Sequence, residues 1–281
     1  MKIPCEFTSD VSVSAIRGLV FLRVERGLKG KAHLSMICNP STGESLILPK
    51  VKSRRKIGVT SYFMYDPVEK QYKVLSMTWH PKGNRWQGTE EHQVLTLGGG
   101  ESSWRKIECS IHYKLITDHH VCIDGVLYYP ARTIMLEDYI IIRFDVRSEK
   151  FRRIKGPDLF DSAPLVNYNG KLALLGGSRT SIRLRVLEDV GKQKWSERTY
   201  VLPELSKNVV GDESLHIVGI TRTNEIVLCS SSPQYLLYCN AERKTVIRVD
   251  IQGMEAVKRS EIFTFIDHIE DARLMKVCFK S

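Results

Sequence analysis

A short unit recurs about five times along this chain, and it constrains the possible folds more than any other feature. Each copy has an apolar run, an Asp or Asn, a short polar turn, and usually a return to an aromatic or aliphatic residue. Four clear copies and one degenerate copy occupy residues 36–43, 63–70, 144–151, 237–244 and 186–195. A turn that repeats between apolar runs predicts a scaffold of repeated hairpins, which presents a surface and not a catalytic pocket.

The Asp or Asn of each copy has a physical role in the predicted turn. Its short side chain accepts a hydrogen bond from the backbone two residues on and tolerates the left-handed conformation. A second series of turns is predicted at Asp124-Gly125 and Asn169-Gly170, which lie between apolar runs. These dipeptides indicate hairpins because a type I′ turn needs positive φ at both central residues.

The spacing of the two series predicts four strands in each unit. Gly125 precedes Asp145 by 20 residues, and Gly170 precedes Asp189 by 19. The predicted units cover residues 17–50, 57–112, 119–157, 163–203 and 214–254. Units of about 40 to 50 residues with four short strands are typical of propeller blades. An antiparallel sandwich also repeats hairpins and stays open as an alternative.

The predicted fold class is therefore all-β, a propeller-like array of antiparallel four-stranded blades that is either regular or irregular and partly open. The chain has 281 residues, of which 42% are hydrophobic and 26% charged, enough for a sizeable core. No linker divides it, so we expect a short N-terminal segment at residues 1–16 and one domain at 17–281.

The sequence also predicts the cellular compartment of the protein. The longest apolar runs, such as residues 139–142, have strand length and are far shorter than a membrane span. The N-terminus lacks the apolar core of a signal peptide. Seven cysteines are scattered without a Cys-x-x-Cys pair, so neither a disulfide framework nor a metal site is predicted. We expect an intracellular protein of the nucleus or cytoplasm, with no membrane partner.

The formal charge of +10 raises the question of nucleic acid binding. Each half of the chain carries +5, because residues 1–140 hold 19 basic and 14 acidic side chains and residues 141–281 hold 23 and 18. The one basic cluster, residues 50–56, fits a solvated loop, an import signal or a phosphate-facing patch. Without a stacking platform or a zinc finger, we expect no nucleic acid partner.

No catalytic or cofactor motif is present. Gly-x-Ser-x-Gly, the phosphate-binding loop and His-Glu-x-x-His are all missing from the sequence. The glycine run 98–100 lacks the last glycine of a dinucleotide fingerprint and precedes a predicted strand, so it indicates a turn. We therefore expect no catalytic, cofactor-binding or metal-binding residue, although an enzyme site in a propeller channel stays a second function class.

Several segments closely resemble the plant F-box-associated domain, type 3. They are residues 37–43, 48–50, 65–75, 91–98, 104–107, 122–129, 144–151, 195–196 and 223–228, in the family's motif order. The resemblance implies a propeller-like or kelch-related domain that captures the protein to be ubiquitinated. It also implies an N-terminal F-box, a helical module that docks on the Skp adaptor of an SCF ubiquitin ligase.

The residues before the predicted domain do not fit an F-box. Residues 1–16 are too few for a helical bundle and include Pro4 and the β-branched Val11 and Val13. We therefore expect a protein client as partner, and the Skp adaptor only if an F-box is supplied. A truncated gene product and a non-ligase interaction scaffold are the alternatives.

The candidate partner-binding residues lie in the longest polar insertion, residues 79–89. It contains Trp79, His80, Arg85 and Trp86. Tryptophan and arginine are the residue types that dominate interface hot spots. The alternative is that Trp79 is a buried strand end and Trp86 caps a loop.

Overall fold

The computed structural model describes residues 11–25, 33–51, 58–82, 85–98, 103–157, 163–177, 181–201, 215–230, 235–253, 263–267 and 269–270. Across these residues the regular structure is all β, without a helix. The strands are β1 (Val11–Ile16), β2 (Leu19–Glu25), β3 (His33–Cys38), β4 (Ser45–Ile47), β5 (Gly58–Asp66), β6 (Gln71–Lys82), β7 (Arg85–Leu97), β8 (Arg105–Ile107), β9 (Tyr113–Leu115), β10 (Val121–Ile123), β11 (Val126–Thr133), β12 (Tyr139–Asp145), β13 (Lys150–Lys155), β14 (Leu165–Tyr168), β15 (Lys171–Gly177), β16 (Ser181–Asp189), β17 (Lys194–Val201), β18 (Leu215–Ile220), β19 (Ile226–Ser230), β20 (Tyr235–Asn240) and β21 (Thr245–Asp250).

Five antiparallel sheets follow one another along the sequence: β1–β4, β5–β8, β9–β13, β14–β17 and β18–β21. Each strand pairs with its sequence neighbours, except that β9 pairs with the end of β11 beside β10. The sheets coincide with the five predicted units to within six residues at every boundary. The prediction of an all-β chain of four-stranded blades is confirmed, with β9 as a fifth strand of the third sheet. The first sheet begins at Val11, before the domain boundary expected at residue 17.

The Asp and Asn side chains form the predicted turn hydrogen bonds, but with two different spacings. Asn39 Oδ1 and Asp66 Oδ1 each accept the backbone N–H two residues on, at 2.9 Å. The carboxylates of Asp145 and Asp189 and the amide of Asn240 accept the N–H three residues on, at 2.8, 2.9 and 2.9 Å. The turns nevertheless have the same length, because Asp66, Asp189 and Asn240 each pair with the residue five positions on. Asp66 Oδ1 also accepts the Glu69 N–H, three residues on, at 3.2 Å.

The left-handed residue of these five turns lies four positions after the Asp or Asn. It is Gly43, Lys70, Glu149, Gln193 or Lys244, with φ between 51° and 74°. The sequence prediction, which assigned this tolerance to the Asp or Asn, was wrong on the position. In the other series Asp124 and Gly125 both have positive φ, at 46° and 77°, as a type I′ turn requires.

The chain divides into two compact units, residues 1–154 with 268–281, and residues 155–267. In the first unit, one core joins the first two sheets through Phe21, Ile37, Phe63 and Val74. A second core joins the second and third sheets and includes Tyr62, Leu75, Tyr129 and Phe144. In the other unit, the fourth and fifth sheets pack through Leu175, Leu184, Leu228 and Leu237. No helix of the described residues is long and apolar enough to cross a membrane.

Candidate partner-binding edge

The second and third sheets lie side by side, and the β5–β6, β10–β11 and β12–β13 turns lie at the same end of these sheets. A Cβ atom added to Gly125 would lie 2.8 Å from Pro67 Cδ, so the β10–β11 turn contacts the β5–β6 turn. Arg147 Nε lies 3.9 Å from Glu69 Oε1, which places the β12–β13 turn there as well. We call this end the Asx edge.

Antiparallel connections alternate between the two ends of a sheet, so the β6–β7 and β11–β12 connections lie at the opposite end. We call that end the distal edge; it consists of the β6–β7 hairpin end at residues 79–89 and the β11–β12 turn at 134–138. Strand β6 has 12 residues and β11 has 8. Strand β6 is thus four residues longer, which corresponds to about 13 Å of extended chain at about 3.3 Å per residue.

The predicted partner-binding residues all belong to this hairpin. The insertion expected at 79–89 is not a separate loop, because β6 continues to Lys82 and β7 begins at Arg85. Pro81 pairs with Trp86 and Lys82 with Arg85, with a register shift between Trp79 and Pro81. His80 thus lies at an irregularity of the ladder. The side chains of His80, Arg85 and Trp86 lie outside the described residues.

Trp79 has a structural role. Its indole ring lies over Gly58 on the neighbouring strand β5, where a Cβ atom would approach the ring to 2.0 Å. The Trp79 side chain is half-buried. Of the four predicted residues, it is the one whose side-chain position is described, and it supports the base of the hairpin.

The sequence reasoning missed the β11–β12 turn. Ile134, Met135 and Leu136 are three consecutive large apolar residues that are 44%, 94% and 77% exposed. The sequence pattern that could have identified this turn is an uninterrupted Ile-Met-Leu run. It lies between an apolar run and the acidic pair Glu137 and Asp138. Large apolar side chains that stay in water on a short turn are typical of contact surfaces.

One hydrogen-bonded network of residue types that often take part in catalysis is buried in the first unit. His92 Nε2 lies 2.8 Å from Tyr113 Oη, and Tyr113 Oη lies 2.6 Å from Tyr129 Oη. Burial lowers the pKa of His92 to about 4 and raises that of Tyr129 well above its usual value. Both tyrosines are fully buried, so this network stabilises the core between the second and third sheets.

The described residues form no group of three or more His, Cys, Asp or Glu side chains that could hold a metal ion. The five cysteines whose positions are described are free thiols. Burial raises the pKa of Cys122 and of Cys239 to about 11. These two thiols are protonated at neutral pH and are poor nucleophiles.

The sequence profile of the F-box associated beta propeller domain matches residues 1–269. The chain belongs to this family. Its five consecutive antiparallel sheets are the blades that the family description implies.

Relatives of this F-box associated domain are F-box proteins of Arabidopsis thaliana. The chain is 46% identical to the F-box protein DOR over 289 aligned positions, which cover 98% of this chain and 72% of DOR. A second F-box protein is 46% identical over 261 positions, covering 88% of this chain and 64% of the relative. A third is 40% identical over 309 positions, covering 99% and 74%. The chain thus spans about two thirds to three quarters of the length of these relatives.

Proposed function

We propose that this domain recognises a protein client and holds it for ubiquitination by an SCF ligase. The family match over residues 1–269 carries this proposal, together with relatives that are named as F-box proteins. An F-box on the same polypeptide would connect the domain to the Skp adaptor. A receptor of this kind needs a stable scaffold and a contact surface, and it needs no catalytic group.

The distal edge is the surface that we propose for the client. It includes the β6–β7 hairpin end, with the candidate residues Arg85 and Trp86, and the exposed β11–β12 turn. Among its described turns the Asx edge exposes one large apolar side chain, Val68, whereas the β11–β12 turn exposes three in succession. Loops and hairpin ends on a rigid scaffold are the usual places for binding residues.

A fusion experiment tests the proposed function. The chain is expressed in plant cells behind the F-box of a relative, with the proteasome inhibited, and the proteins recovered with it are analysed for ubiquitin attachment. We expect a protein that is recovered with the domain and ubiquitinated only when the F-box is present. The same fusion without its F-box is the control, and it should recover the client but not its ubiquitinated form. Recovery of the Skp adaptor without any client would contradict the proposal.

The hairpin is tested in the same fusion with Arg85→Ala and Trp86→Ala combined. Truncation of hot-spot side chains commonly weakens an interface by at least about tenfold, and we expect a loss of that size in client recovery. A folded double variant that recovers the client as well as the parent would exclude these two side chains from the site.

We also propose that the protein acts in the nucleus or the cytoplasm. The free thiols of the described cysteines are compatible with a reducing compartment. A fluorescent fusion imaged in plant cells tests this proposal, and retention in the secretory pathway would contradict it.

A further inference from the structure

The β11–β12 turn presents an apolar group that is held in one position. We call Ile134, Met135 and Leu136 the apolar tip. The ends of the turn are closed by Thr133 N donating to Asp138 O at 3.0 Å and by Asp138 N donating to Thr133 Oγ1 at 3.1 Å. The tip therefore lies on a turn whose backbone is fixed before any partner arrives.

Glu137 holds the base of the tip to the neighbouring strands. It has a left-handed φ of 56°, and its carboxylate accepts a hydrogen bond from Lys114 Nζ at 2.5 Å while lying 3.7 Å from Arg132 Nη1. Lys114 and Arg132 are register partners on β9 and β11. Lys114 lowers the pKa of Glu137, which stays ionised at neutral pH.

The charges around the tip are balanced. The cations Lys114 and Arg132 are matched by the carboxylates of Glu137 and Asp138, although the whole chain carries +10. A nucleic acid or an anionic membrane surface would be attracted by an excess of positive charge, which this turn lacks. The balance favours an uncharged apolar partner surface.

We infer that the apolar tip is the anchor of the client interface and inserts into an apolar pocket of a folded protein. The inference rests on the proposed function, because the partner is the client. A convex tip of three aliphatic side chains is complementary to a concave apolar site, and methionine adapts to irregular pocket shapes. The fixed turn lowers the entropic cost of binding. Because the local charges cancel, the contact should depend little on salt.

Site-specific crosslinking tests the inference on the full chain. The photoreactive amino acid p-benzoylphenylalanine replaces Met135, or Val68 as the matched control, or Trp86 in the hairpin. Val68 is an apolar residue that is 63% exposed, but it lies at the Asx edge. We expect irradiation in plant extract to crosslink one protein through position 135, at apolar residues of that protein, and none through position 68.

The captured protein is then purified and titrated with variants of the chain. Met135→Asp with Leu136→Asp should weaken binding by at least about tenfold, whereas Val68→Asp should change it less than about twofold. Both variants should melt within about 2 °C of the parent, because the side chains are exposed. Raising the salt concentration from about 0.1 to 0.5 M should change affinity less than about twofold.

Four outcomes would overturn the inference. One is crosslinking of a protein through position 86 but not 135, which would leave the proposed function intact. Another is crosslinking of position 135 to a second copy of this chain or to lipid. A third is full binding by the Asp double variant. The fourth is failure of all three positions to capture any protein, after which the F-box fusion experiment decides the proposed function separately.

Discussion

Lys73 Nζ donates a hydrogen bond to the carbonyl oxygen of Val146 at 3.0 Å, across the boundary between the second and third sheets. The same ammonium lies 3.3 Å from Glu149 Oε1, and Arg105 also pairs with that carboxylate. Lys73 is only 5% exposed. A buried cation with these partners connects β6 to the β12–β13 turn and fixes the two sheets at the Asx edge.

Replacing Lys73 with Met should destabilise the first unit. The substitution keeps the side-chain length but leaves Val146 O without its donor and removes one partner of Glu149. We expect a loss of about 1–3 kcal/mol in the free energy of unfolding, measured by urea denaturation. Lys106→Met is the control: Lys106 is exposed and paired with Glu91 at 2.6 Å, and its loss should cost less than about 1 kcal/mol. Equal effects of the two substitutions would contradict the role of Lys73.

The buried His92 should make stability depend on pH. Its pKa is lowered from 6.5 to about 4, so the unfolded chain binds more protons than the folded chain between those values. The contribution of His92 is therefore complete above pH 6.5 and is lost as the pH falls toward 4. The shift corresponds to about 3 kcal/mol.

His92→Gln tests this pH dependence, because glutamine does not titrate. The unfolding free energies of parent and variant are measured from pH 7 to pH 4. As the pH falls, the parent should lose most of about 3 kcal/mol of stability relative to the variant. A difference that is constant across the range would show that His92 does not titrate as described. Measuring parent and variant side by side cancels the contributions of carboxylates such as Asp145. Burial raises the pKa of Asp145, but hydrogen bonds from Ser148 and other partners outweigh it and lower the pKa.

Gly125 should tolerate substitution less well than Gly43. Both have positive φ, at 77° and 74°, so alanine costs about 1 kcal/mol of backbone strain at either position. At Gly125 the new Cβ would also meet Pro67 Cδ at 2.8 Å, whereas Gly43 has nothing within 4 Å. We expect Gly125→Ala to lower the melting temperature more than Gly43→Ala does. Equal shifts would mean that the contact between the two turns relaxes without cost.

Gly58→Ala should displace the Trp79 ring. The added Cβ would fall 2.0 Å from the indole, which is the mobile end of the side chain, so the ring moves and the strand pairing stays. We expect a red shift in tryptophan emission with little change in far-ultraviolet circular dichroism. A Trp79→Phe variant identifies the contribution of this indole, and an unchanged spectrum would contradict its packing over Gly58.

The sequence alone determined the repeated architecture. Asp124-Gly125 and Asn169-Gly170 specify their turns locally, because positive φ at two successive residues suits few other side chains. The spacing between turns then located the sheets. The turns after the repeated Asp or Asn were less predictable, since the left-handed position falls four residues later, on side chains as different as Lys70 and Glu149.

Only the tertiary structure decided which turns share an edge. The contact between Pro67 and Gly125 joins residues from different sheets, and no local pattern encodes such a pairing. Burial is decided in the same way. Met77, between the polar Ser76 and Thr78, is fully buried, whereas Met135, between two apolar residues, is 94% exposed. Turn conformation follows from the nearest neighbours in sequence, whereas exposure depends on the segments that pack against a residue from far along the chain.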